Sequence, residues 1–229
     1  MSLDNLLFMI FPYVSIAIAI LVSLYRTIYR PFTISSLSSQ LLERKKLYWG
    51  SLSFHWGIVI ILLGHLLALL VPRALILWNK IPLRLYLLEL SGLALGLWSL
   101  VGLVVLLYRR ISTRRLWPVT TRMDWVVLIL LLVSVVSGVL VATVYRFGSF
   151  WFTGIFTPYL LSIITLQPRP ELVAPLPWLI KLHVFNFFLL LGIFPFSRLV
   201  HIVTLPLGYI LRPWQIIIAN KRTSNLYQD

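Results

Sequence analysis

Five apolar stretches, each close to the roughly 20 residues that an α-helix needs to cross the hydrocarbon of a bilayer, dominate this chain of 229 residues. They lie at about 5–25, 49–71, 85–107, 125–145 and 182–203. Glu89, in the third, is the one acid inside a span. The spacing predicts an all-α polytopic membrane protein, a bundle of five transmembrane helices forming one domain over 1–229. Composition agrees: 60% of residues are hydrophobic and 11% charged, against about 45–50% and 25% in soluble domains. A soluble fold is excluded, and so is disorder, which requires low hydrophobicity. The first stretch has neither the charge pattern nor the cleavage site of a signal peptide and reads as a retained anchor. Pro195 inside the last stretch predicts a kink or a local break in the backbone bonding, because its ring removes a backbone donor.

Charge sets the expected orientation. The net charge of +14 reflects loops and tail, and Lys and Arg accumulate on the cytoplasmic side of multispanning proteins. With five spans and the N-terminus outside, the inner side holds fourteen basic residues: Arg26, Arg30, Arg44, Lys45, Lys46, Arg109, Arg110, Arg114, Arg115, Arg122, Arg198, Arg212, Lys221 and Arg222. The outer side holds six: Arg73, Lys80, Arg84, Arg146, Arg169 and Lys181. Counting the uncharged segment 147–168 as a sixth span would move four basic residues across and leave ten on each side. That segment is therefore expected at the outer face, interfacial or re-entrant, and the C-terminus in the cytoplasm of a prokaryotic cell.

The chemistry lies in the histidines. All four, His55, His65, His183 and His201, fall within or at the end of a predicted span. An ionisable ring at that depth is costly and marks function by default. Two helices with two histidines each predict two haems, each bound between a pair of imidazoles. The second helix runs outward and the fifth inward, so equal depth pairs His65 with His183 at the outer haem and His55 with His201 at the inner. Along ideal helices the first two are about 15 Å apart and the other two about 27 Å, a mismatch that tilt and the Pro195 bend must absorb. Gly57 and Gly64 flank the second-helix pair. They either let a flat macrocycle approach the backbone or serve ordinary helix packing. With no cysteine in the chain, c-type haem attachment and thiolate iron–sulfur ligation are excluded within it. A reading from another class is a small transporter relaying protons through histidines. It predicts inverted repeats or broken helices, of which the sequence offers only Pro195.

The segments around these histidines carry a resemblance. Phe54-His55-Trp56-Gly57, Leu63-Gly64-His65 and Phe194-Pro195-Phe196-Ser197-Arg198-Leu199-Val200-His201 resemble the gamma subunit of respiratory nitrate reductase, a diheme cytochrome b. Ser38-Ser39-Gln40-Leu41-Leu42-Glu43-Arg44-Lys45, Tyr108-Arg109-Arg110 and Thr120-Thr121 extend it. The resemblance implies five helices, two b haems with ligands at the four histidines, and quinol oxidation near the outer haem. Electrons would leave through the inner haem to an iron–sulfur subunit and a molybdenum catalytic subunit on the cytoplasmic side. Arg109, Arg110 and Arg198 stand where guanidinium groups meet haem propionates, although topogenic charge alone also explains them. In the family a basic residue opens the third helix from the outer side. Here that register holds Tyr86, with Arg84 two residues earlier, so quinol is expected to meet Gly64, His65, Arg84 and Tyr86. Glu89 would either accept a quinol proton or hold a helix contact.

Overall fold

The computed structural model describes residues 2–30 and 42–202. Ser38, Ser39, Gln40 and Leu41 of the family-like segment, and Arg212, Lys221 and Arg222 of the basic tail, lie outside the described residues, as does the last position of the expected 182–203 span.

Among the described residues the chain is helical throughout, and five helices are long and apolar enough to cross a membrane. They are α1 (Leu3–Tyr29), α2 (Lys45–Leu70), α4 (Pro82–Ser112), α5 (Arg122–Val144) and α7 (Trp178–Phe196). The short α3 (Pro72–Asn79) and the apolar α6 (Gly148–Ile164) join them. Most helices exceed the hydropathic stretch that predicts them, because they continue into polar turns with their own caps. Thr121 and Asp124 form a reciprocal capping box at the start of α5. The carboxylate of Glu43 accepts the backbone N–H groups of Lys46 (2.8 Å) and Leu47 (3.2 Å) at the start of α2, satisfying donors that a helix leaves open.

The helices run alternately, giving the bundle two distinct ends. At one, Lys181 pairs with Asp4 at 3.0 Å, joining the starts of α7 and α1. At the other, Arg109 at the finish of α4 pairs with Glu43 at 2.7 Å, and Arg198 pairs with Asp124 at 3.0 Å. Arg26 also donates to the carbonyl of Pro195 there. We refer to these as the Lys181 end and the Arg109 end.

Small residues set the closest approach. A Cβ on Gly102 would strike the backbone nitrogen of Phe54, and one on Gly57 would come within 2.8 Å of the Leu95 carbonyl. Gly57 therefore serves the α2–α4 crossing, the packing alternative of its two roles, as small residues do at membrane helix interfaces. Gly64 differs: nothing lies within 4 Å of its Cβ position. A second core joins α1, α6 and α7 around Phe8, Tyr159, Ile163 and Phe188. There the Tyr159 hydroxyl donates to the Phe8 carbonyl (2.8 Å) and Phe11 stacks on Phe185 with centroids 4.7 Å apart. Asn186, 2% exposed, donates to the Leu130 carbonyl (3.0 Å) and ties α7 to α5.

Segment 147–168 forms α6 over most of its length, with a π-helical turn at Phe152–Phe156. It packs over the Lys181 end, where Thr157 donates to the Ala68 carbonyl near the end of α2 (3.2 Å). In the last span the disturbance expected at Pro195 takes the form of a break. Its α-helical bonding stops at Ile193, and a 3₁₀ turn covers Phe194–Phe196. Ser197 is extended, and a second 3₁₀ turn covers Arg198–Ile202. Pro195, lacking an N–H, breaks the helix outright rather than bending it. His201 consequently sits in a turn beyond the helix instead of on it.

Candidate functional site

Each histidine is held at the same ring atom. His55 Nδ1 lies 2.8 Å from the Ser51 carbonyl and 3.1 Å from the Ser51 hydroxyl. His65 Nδ1 lies 2.8 Å from the Ile61 carbonyl, and His201 Nδ1 lies 2.6 Å from the Arg198 carbonyl. A carbonyl only accepts, so in these three rings Nδ1 carries the proton and Nε2 carries the lone pair. The fourth ring reaches the same state through a hydroxyl. Ser137 on α5 donates to the Ser134 carbonyl (3.1 Å), which leaves its oxygen to accept from His183 Nδ1 at 2.9 Å. Metal-binding histidines are oriented in just this way, with the second nitrogen donating to a carbonyl or an oxygen of the surroundings.

The pairs follow depth. His55 and His201 face one another at the Arg109 end with ring centroids 6.2 Å apart and planes inclined at 60°. The break after Ile193 makes this meeting possible, since a straight helix would carry residue 201 about 27 Å beyond residue 183. A metal held by both Nε2 atoms, with bonds of about 2 Å and ring half-widths of about 1 Å, sets imidazole centres about 6 Å apart. The observed centroid separation is of that size. His65 and His183 occupy the other level, within electrostatic reach of each other.

Among the described residues no group of three or more His, Cys, Asp or Glu side chains comes together. A pair of imidazoles is too few donors for a bare metal ion, so the donor set would suit a haem, for which the histidines would supply the protein ligands. Two positions next to the histidines carry no side chain. Gly64 faces open space, and Gly138 on α5 clears the His183 ring, whose Cε1 would lie 3.1 Å from a Cβ there. Ser137 and Gly138 were not singled out from the sequence. Their only signal is position, a hydroxyl and a missing side chain side by side in a largely aliphatic span.

The other expected site residues divide into two groups. At the Arg109 end, Arg109 is 3% exposed and donates to the Glu43 carboxylate (2.7 Å) and to the Glu43 carbonyl (2.8 Å). Arg110 donates to the Thr120 hydroxyl (3.0 Å). Arg198 donates to the Val119 carbonyl (2.9 Å) besides its pair with Asp124. These three guanidinium groups tie α4, α5 and the turn holding His201 into one basic end. At the Lys181 end, Arg84 lies over the Trp78 ring at 5.1 Å, and Tyr86 meets the Phe147 ring edge-on at 6.1 Å. The His65 ring meets Phe152 edge-on at 5.0 Å. Glu89 accepts from the Ser149 hydroxyl (2.6 Å) and backbone N–H (2.9 Å), so it does hold the start of α6 to α4. Partial burial alone pushes the Glu43 carboxyl up, but the N–H groups of Lys46 and Leu47 and the charge of Arg109 outweigh it and hold it below the usual carboxylate range.

A helical membrane bundle that sets histidine pairs at two depths belongs to the class of membrane cytochrome b electron-transfer subunits. Comparison with known proteins narrows the class. Residues 4–220 match the family model described as nitrate reductase gamma subunit, and the chain belongs to that family. It is 32% identical over 223 residues to the nitrate reductase gamma chain of Bacillus subtilis, covering 96% of this chain and 99% of the relative. It is 30% identical to the respiratory nitrate reductase 1 gamma chain of Escherichia coli, covering 95% and 98%. A more distant relative, at 26% identity with 69% of this chain and 47% of the other matched, is the Hdr-like menaquinol oxidoreductase cytochrome b-like subunit of Archaeoglobus profundus.

Proposed function

We propose that this subunit oxidises quinol at the Lys181 end and carries the electrons through two b haems to the Arg109 end. They pass from there to iron–sulfur and molybdenum subunits of a nitrate reductase complex. The observation that carries the proposal is the facing of His55 and His201 at 6.2 Å with both Nδ1 atoms already engaged. Haem supplies one-electron redox chemistry when bound. The chain supplies the ligands, with His65 and His183 at one level and His55 and His201 at the other. It also supplies the hydrogen bonds that keep each Nε2 available and the aliphatic walls that keep water out. Arg109, Arg110 and Arg198 give the second level a positive rim against which propionates can be held.

In this reading quinol enters beside His65, where Gly64 leaves open space and where Tyr86 and Arg84 present a hydroxyl and a guanidinium. The excess of Lys and Arg, fourteen against six, puts the Arg109 end in the cytoplasm and the Lys181 end outside. Quinol protons are released outside while electrons move inward, which separates charge. The resemblance to a menaquinol oxidoreductase subunit supports quinol as the donor. It also favours a second reading, the same relay serving a different oxidoreductase.

The test is a dithionite-reduced minus oxidised visible spectrum of the detergent-solubilised complex, with haem quantified per chain. Two b haems per chain, with iron–sulfur and molybdenum subunits in the same particle, support the first reading. Two haems with other partners support the second. No haem in folded protein overturns both and returns the proton-relay transporter to first place.

A further inference from the structure

The contact between Glu89 and Ser149 is part of a larger polar cluster inside the Lys181 end. Asn79, 2% exposed, donates from Nδ2 to the Ser149 oxygen at 2.9 Å, and Ser149 donates to Glu89 Oε1 at 2.6 Å. Two buried atoms of the cluster have no protein partner: the acceptor Asn79 Oδ1 and the donor Trp151 Nε1. The second carboxylate oxygen, Glu89 Oε2, and Trp151 Nε1 each lie 3.7 Å from the place where a Cβ on Gly148 would stand. The missing side chain keeps that space open. It lies between one donor, Trp151 Nε1, and one acceptor, Glu89 Oε2, the pattern that holds an ordered water, which accepts from the indole N–H and donates to oxygen. A plain helix clamp needs only one carboxylate oxygen and leaves neither Asn79 Oδ1 nor Trp151 Nε1 unpartnered.

We propose that Glu89 is the proton acceptor of the quinol site and that the Asn79–Ser149–Trp151 cluster positions it and its water. The inference rests on the proposed quinol oxidation. Glu89 lies one helical turn beyond Tyr86 on α4, so the two share a face, and Tyr86 meets Phe147, the residue preceding α6. Each quinol loses two protons and two electrons. The electrons would be taken up one at a time by the haem that His65 and His183 would hold. Each proton in turn passes to the Glu89 carboxylate, directly or through the water, and leaves to the aqueous side before the next arrives. Ser149 keeps Oε1 occupied and Oε2 directed at the water, so the group that takes the proton is fixed in place. A base held so contributes on the order of a hundredfold to a proton transfer.

The experiment uses the whole complex in membranes and follows haem reduction by decylubiquinol after rapid mixing, in wild type, Glu89→Gln and Glu89→Asp. Gln still accepts from Ser149 but takes up no proton. Glu89→Gln is expected to slow haem reduction about a hundredfold, with half-saturating quinol changed less than about twofold and haem content unaltered. The carboxylic-acid C=O band in the reduced-minus-oxidised infrared spectrum is expected to vanish in Glu89→Gln, and Glu89→Asp to recover part of the rate. Reduction at the wild-type rate, loss of haem together with rate, or an infrared band that persists in Glu89→Gln would overturn the assignment of Glu89 while leaving the quinol site standing. Failure of quinol to reduce the haem of the wild-type complex would instead overturn the quinol reading and this inference with it.

Discussion

The Ser137 hydroxyl accepts from His183 Nδ1 at 2.9 Å because its own proton is given to the Ser134 carbonyl. One serine on α5 thereby fixes which nitrogen of a histidine on α7 faces the partner ring. Ser137→Ala removes that acceptor and makes the imidazole a weaker donor to iron. The midpoint potential of the His65–His183 haem should rise, and its retention should fall by about 10–100-fold, with the other haem unchanged. A spectroscopic redox titration resolves the two; equal shifts in both would show that Ser137 acts on the bundle as a whole.

Removing a ligand tests the pairing itself. His65→Ala or His183→Ala should leave one b haem per chain and abolish quinol oxidation. His55→Ala or His201→Ala should leave the opposite haem and keep its reduction by quinol. Pyridine haemochrome quantification gives the count. Loss of both haems in any of the four variants would mean that the pairs do not act separately.

Arg84→Ala and Tyr86→Phe should slow quinol turnover by about tenfold or more while both haem spectra remain, because each removes a polar contact to the substrate rather than a ligand. Unchanged turnover in both variants would take these two residues out of the site.

How much of this could be read from the sequence varies by element. Hydropathy places the five long helices because a span of 20 apolar residues has few alternatives. The four histidines, like Glu89, stand out because an ionisable group within a span pays a high desolvation penalty. Other features depend on where a chain goes after a break. Pro195 is visible as a helix disturber, but whether it kinks or ends the helix depends on what donates to the carbonyls left open there, and here the Arg26 side chain donates to the carbonyl of Pro195 itself. The placement of His201 in a 3₁₀ turn follows from that contact, which joins residues far apart in sequence. Ser137 was hidden for the same reason: serine is common in membrane helices, and only the packing of α5 on α7 gives this one a partner.

Gly102→Ala should destabilise the protein by about 1–3 kcal/mol, since the added methyl meets the Phe54 backbone nitrogen, which cannot rotate away. Thermal denaturation in detergent should show this, and Gly64→Ala, into open space, should leave the melting temperature unchanged.

The Glu43–Arg109 pair predicts an acid response. Because the folded protein holds the Glu43 carboxyl low, the pair adds stability above the ordinary carboxylate pKa of about 4.3 and loses it as pH falls through the folded value. Wild type should melt higher than Glu43→Gln at neutral pH, and the gap should close as the buffer is taken below about pH 4. A gap that is independent of pH would assign the effect to the cap on α2 rather than to charge.

The two ligand-bearing segments are the second and the last of the long helices, with residues 55 and 201 meeting across the bundle. Synthesis reaches them far apart in time. The seam of glycines joins α2 to α4 early, so His55 and His65 are displayed on a finished helix pair while α7 is still within the ribosome. In the proposed reading neither histidine pair is complete until the chain has been made as far as His201. If the four histidines hold haem as proposed, its capture would come late in biogenesis, and a chain truncated before Trp178 would carry only one histidine of each pair.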